Sequence, residues 1–111
     1  MRLIIAGGRG FTRYGTLVNQ MKEYQPDVII CGMARGADML GHRYAKDRGI
    51  GVMEMPADWE IYGTKAGYIR NEEMARRATH LLVFWDGISR GTKSMIELAH
   101  RYGLEIHIVR Y

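Results

Sequence analysis

The chain has one cysteine, Cys31, among its 111 residues, so no internal disulfide can form and a reducing cytoplasm is the simplest compartment for it. Proline is nearly missing. Pro26 and Pro56 both stand beside apolar runs, as expected from the cost of proline inside helices and sheets. No apolar run approaches the roughly 20 residues of a membrane span. The N-terminus passes into a strand-like run with no signal-peptide pattern, so no membrane association is expected. The histidines at 42, 80, 100 and 107 lack metal-ligand spacing and a neighbouring cysteine pair, so neither a metal nor another cofactor is expected. No block of like charge, internal repeat, low-complexity stretch or linker interrupts the sequence. The net charge of +4 comes from dispersed basic residues. That dispersal fits solvated helix faces and leaves a few arginines at strand ends as candidates for an anionic partner.

What is present describes one soluble domain over residues 1–111, with 47% hydrophobic and 25% charged residues. Five short apolar segments, at 2–6, 28–31, 51–55, 80–85 and 105–109, alternate with longer mixed ones. Near-continuous apolar character with β-branched residues predicts strands covered on both faces. The intervening segments have helical period. Tyr14, Leu17, Val18 and Met21 fall at i, i+3, i+4 and i+7, as do Ala37, Leu40, Gly41 and Tyr44, and Met95, Leu98, Ala99 and Tyr102. A fourth helix carries Asn71, Met74, Ala75 and Ala78 on one line, which points a polar amide toward the sheet. This alternation predicts an α/β domain with a doubly wound, five-stranded parallel sheet of order 3-2-1-4-5 and helices on both faces. In such a sheet ligands bind beyond the strand C-termini, where the strand order reverses.

Glycine-rich turns follow the predicted strands. Asp86-Gly87-Ile88-Ser89-Arg90-Gly91-Thr92-Lys93-Ser94 ends in hydroxyls at a helix start, where unpaired backbone N–H groups suit an anion. Phosphate is expected at Gly91 and Thr92, helped by Ser94. Gly7-Gly8-Arg9-Gly10 lacks the acidic partner of a dinucleotide fingerprint, since the second strand closes on Cys31-Gly32. Arg9 is either a phosphate clamp or a surface arginine. In Gly32-Met33-Ala34-Arg35-Gly36-Ala37-Asp38 the glycines permit close backbone approach. Asp38 either steadies the helix start or accepts hydrogen bonds from ribose or base. The long segment 56–64 carries Trp59, which either stacks on a base or pins the loop to the core. Arg70 and Asn71 form a candidate pair, because a buried amide without partners costs about 1–3 kcal/mol.

The sequence resembles small members of the SLOG superfamily, specifically its YspA-related group. The matching pieces are Ala6-Gly7-Gly8-Arg9 with Phe11-Thr12, the segment from Gly32 to Asp38, Pro56-Ala57-Asp58-Trp59, Lys65-Ala66-Gly67, Arg70-Asn71 with Met74, and Arg90-Gly91-Thr92. They occur in order across nearly the whole chain. The resemblance implies a Rossmann-like three-layer sandwich that binds nucleotides or nucleotide-derived ligands. It implicates Gly7, Gly8, Arg9, Gly32, Arg35, Gly36, Asp38, Trp59, Arg70, Asn71, Arg90, Gly91, Thr92 and Ser94 in the site. The superfamily also includes Lonely Guy phosphoribohydrolases, a DNA-processing protein that binds single strands, and ligand-sensing domains of immunity systems. Function therefore varies widely on the one fold.

The Lonely Guy pattern, Gly-Gly-x-Gly-Thr-x-x-Glu with an arginine on the preceding helix, is matched at Gly91-Thr92 and Arg70. It is broken where Met95 occupies the glutamate position and where Ile88-Ser89-Arg90 follows Gly87. Glu97, two residues on, lies about 200° round the helix from that position. A binding domain acting as sensor, sequestering or processing protein is the expected function. A phosphoribohydrolase using Arg70 and Asp38 is the first alternative, and single-stranded nucleic-acid binding the second. Related proteins also lead to the expectation of a homodimer.

Overall fold

The computed structural model describes all 111 residues. Strands β1 (Arg2–Gly7), β2 (Val28–Cys31), β3 (Gly51–Glu54), β4 (His80–Trp85) and β5 (Glu105–Arg110) form one parallel sheet of order β3-β2-β1-β4-β5. Helix α1 (Tyr14–Met21) joins β1 to β2, and α2 (Ala37–Arg48) joins β2 to β3. A one-turn helix α3 (Trp59–Tyr62), a 3-10 turn at Gly63–Lys65 and helix α4 (Ala66–Arg77) lead from β3 to β4. Helix α5 (Arg90–Arg101) joins β4 to β5.

The apolar strands serve two cores because successive side chains leave opposite faces of a sheet. Leu3, Ile5, Ile29, Cys31, Leu82 and Phe84 pack with Leu17 and Met21 of α1 and with Ala37, Tyr44 and Ala45 of α2. Ile4, Ala6, Ile30, Leu81 and Val83 pack on the other face with Met74 and Ala75 of α4 and Met95, Ile96, Leu98 and Ala99 of α5. Each fully buried Leu, Ile or Phe contributes about 1.5–3 kcal/mol through apolar area removed from water. The central strands β1 and β4 are apolar on both faces for this reason, whereas the edge strands β3 and β5 have no fully buried residue.

Strands β1 and β4 are neighbours, with Gly7 opposite Phe84. The chain leaves β1 toward the face covered by α1 and α2 and leaves β4 toward the face covered by α5, so a crevice opens between the two turns. Segment 56–64, expected as a loop, contains α3. Its start is fixed where the Asp58 side chain accepts a hydrogen bond from the Ile61 N–H at 3.1 Å, an N-cap that satisfies an otherwise orphaned donor.

Candidate functional site

The turn after β1 is tied on both sides. The Gly8 N–H donates to the Phe84 carbonyl at 3.0 Å, and the Gly8 carbonyl accepts from the N–H groups of Phe11 and Ala37, each at 3.2 Å. The last contact brings the start of α2 against this turn. Gly36 makes the approach possible: it has φ +82°, and a Cβ there would fall on the Gly8 carbonyl oxygen. The N–H groups of Arg9 and Gly10 find no acceptor in the protein.

The turn after β4 is shaped by Asp86, whose Oδ1 accepts from the N–H groups of Ile88 and Ser89, both at 2.8 Å. These bonds hold the Asp86 carboxyl below the usual range, an effect that Arg110 nearby reinforces. With Asp86 occupied in this way, the N–H groups of Arg90, Gly91 and Thr92 in the first turn of α5 have no acceptor either. The Thr92 hydroxyl meets that of Ser89 at 3.2 Å, and the buried Ser94 Oγ has no hydrogen-bond partner.

Between the two turns lies a cleft of about 760 Å³, within the roughly 300–1,000 Å³ typical of small-molecule sites. Its floor holds two buried polar side chains. Asp38, 5% exposed in the first turn of α2, accepts from the Ala34 N–H at 3.4 Å. Burial pushes its carboxyl up to about 6, although Arg70 and backbone donors pull it down. Asn71, 8% exposed in α4, accepts from Arg70 Nε at 2.9 Å and finds no protein acceptor for its amide nitrogen. Arg70 Nη1 donates to the Gly32 carbonyl. Desolvation lowers the Arg70 pKa and Arg9 adds to that shift, while Asp38 opposes it. Gly32 lets these groups approach, since a Cβ there would lie 2.7 Å from both Arg70 Nη1 and Asp38 Oδ2 and would displace them. The buried carboxylate and guanidinium thus converge over a residue with no side chain.

The sequence model of the family described as "YspA, cpYpsA-related SLOG family" matches residues 1–62, more than half of the chain. The chain belongs to this SLOG family. The Gene 61 protein of Mycobacterium phage D29 is similar to it, 38% identical over 85 residues that cover 71% of this chain and 68% of that protein. No solved structure matches the chain. Membership fits a nucleotide-ligand-binding domain. The matched segment supplies the Gly7–Gly10 turn, Asp38 and Trp59 to the cleft. The walls from α4 and α5 lie beyond it.

Of the residues the sequence singled out in this SLOG domain, Gly7, Gly8, Arg9, Asp38, Trp59, Arg70, Asn71, Arg90, Gly91, Thr92 and Ser94 line the cleft. Gly32 and Arg35 line a smaller pocket that adjoins it. Gly36 lines neither and acts through backbone packing. Trp59 is 55% exposed beside Gly67 of α4, so it does not pin its segment to the core. Met95, at the position where a Lonely Guy enzyme carries its glutamate, is 2% exposed and lines the cleft as part of the apolar core.

Sequence reasoning missed Tyr68 and Tyr111 as lining residues, and Ser89 lines the cleft within the turn it had singled out. The Tyr111 ring packs edge-on against Phe11 with centroids 5.1 Å apart, and its hydroxyl lies over Gly8. Burial raises its pKa, and Asp86 raises it further. Exposed Tyr68 falls in the first turn of α4, three residues before Asn71, and that spacing was the available signal.

Proposed function

We propose that this SLOG domain binds a nucleotide or nucleotide-derived phosphate ligand without transforming it, as a sensor or sequestering protein. The phosphate sits on the main-chain N–H groups of Arg90, Gly91 and Thr92, with Arg9 opposite. Asn71 and Arg70 orient the ribose-phosphate, Asp38 accepts from ribose hydroxyls, and Trp59 covers the base. The observation that carries this reading is the set of N–H groups without acceptors on both walls of one cleft. Such groups bind anions with little reorganisation, because folding has already fixed their directions.

Hydrolysis of the N-glycosidic bond is the second reading, and buried Asp38 favours it. A carboxyl titrating near 6 is suited to proton transfer close to neutral pH. Against it stands Met95, which neither activates water nor stabilises an oxocarbenium ion. Thermal-shift titration with the four common nucleoside 5′-monophosphates, followed by chromatography of the saturated mixtures, separates the two. Binding stabilises the folded state by about 2.7 kcal/mol at a hundredfold excess over Kd, and so raises the unfolding midpoint. The proposal expects a raised midpoint with intact nucleotide. Released base establishes the hydrolase, and no shift with any nucleotide refutes both.

A further inference from the structure

The cleft has an annex. A pocket of about 280 Å³ opens beside it between the turn after β2 and the start of α3, and shares Arg9, Ala34, Trp59 and Arg70 with the cleft. Three arginines line it, Arg9, Arg35 and Arg70, and no acidic residue does. The main cleft differs, since Asp38 and Asp86 balance its arginines. None of the three arginines lies within 4.0 Å of a carboxylate anywhere in the protein. Arg70 is also partly desolvated beside the like charge of Arg9. Asp38 compensates Arg70 in part, whereas exposed Arg9 and Arg35 have no acidic partner, so the pocket keeps an excess of positive charge that an anion would offset. Met33, which also lines this pocket, has φ +65°, an uncommon conformation for a side-chain-bearing residue and one that belongs to a tightly shaped turn.

The annex is too small to hold a nucleotide alone, since ligand pockets run from roughly 300 to 1,000 Å³. Its shared wall with the cleft makes it a continuation of the same site. We propose that the annex is a subsite for a second phosphate, so that the ligand class is a nucleotide with two separated phosphate groups, such as a nucleoside bisphosphate or a 5′-phosphorylated dinucleotide. This inference rests on the reading that the main cleft holds a nucleotide. Arg9 and Arg70 stand between the two anions and contact both, while Arg35 serves only the second.

The test is calorimetric titration of the whole chain with adenosine and guanosine 5′-monophosphates and their 3′,5′-bisphosphates at one salt concentration, repeated for Arg35→Ala and Lys22→Ala. Lys22 is exposed just beyond the C-terminal end of α1, at the opposite rim of the sheet, and its removal changes net charge equally. The parent should bind a bisphosphate about tenfold or more tighter than its monophosphate, the gain of one charge-assisted contact. Arg35→Ala should abolish that preference and leave monophosphate affinity unaltered, while Lys22→Ala keeps both. Equal affinity for the two ligands, or a preference lost equally in both variants, overturns the annex and leaves the main cleft standing. Binding of neither ligand overturns both readings.

Discussion

Asp38 shows how one buried side chain sets a property of the whole chain. Its carboxyl is raised by burial to about 6, against about 3.9 for an aspartate in an unfolded chain. The folded state therefore holds this proton more tightly. Its contribution to stability is full below about pH 4 and is lost as pH rises through about 6, with a total change of about 2–3 kcal/mol. Asp38→Asn removes the ionisable group. The variant should be more stable than the parent at about pH 8, by up to about 2 kcal/mol, and the two should converge at about pH 4. Denaturant titration at both values checks this, and an unchanged pH slope would refute it. Gly32, Asp38, Arg70 and Asn71 were individually visible in the sequence through residue type and helical line. Their convergence was not, because it depends on α2 and α4 packing on opposite faces of the sheet. Tyr111 was invisible for a similar reason. Its place over Gly8 follows from the pairing of β5 with β4, and no local pattern records that register.

Helix α5 is the element on which phosphate binding depends in the proposed function. Its first turn offers N–H groups, and the Ser89 backbone before it is extended, with ψ 121°. An extended residue tolerates a following proline, and the first helical position loses no hydrogen bond to one. Arg90→Pro therefore removes a main-chain donor while keeping the helix, and Arg90→Ala removes only the side chain. Their stabilities should agree within about 0.5 kcal/mol. Monophosphate affinity should be about tenfold weaker in the proline variant, the effect of one lost bond to a charged group. Equal affinities in the two variants would show that the α5 amides do not hold phosphate. The elements themselves were largely legible. Apolar runs with no polar alternation predicted five strands buried on both faces. All five strands are present, with β1 and β5 one residue longer and β3 one shorter than expected, but the edge strands β3 and β5 have no fully buried residue because each has a neighbour on one side only. Helix α3 was not legible, since four residues are too few to display a period and the local Asp58 cap fixes the turn.

At the scale of the molecule, the order β3-β2-β1-β4-β5 follows from alternating elements and brings the turns after β1, β2 and β4 to one end of the sheet. Residues far apart in sequence, such as Arg9 and Gly91, become walls of the same cleft because β1 and β4 are paired. The fold thereby turns separate glycine-rich turns, each weak as a motif, into one site rich in unpaired donors. Family membership agrees with such a site, and the matched segment ends before α4 and α5 complete it.

The most direct test follows the backbone amide resonances of the chain during titration with a nucleoside 5′-monophosphate. Saturable shifts should concentrate at Arg9, Gly10, Arg90, Gly91 and Thr92. Residues of the opposite rim, such as Asp27, Thr79 and Leu104, should stay unmoved. Shifts centred on that opposite rim, or none at millimolar nucleotide, would contradict the account.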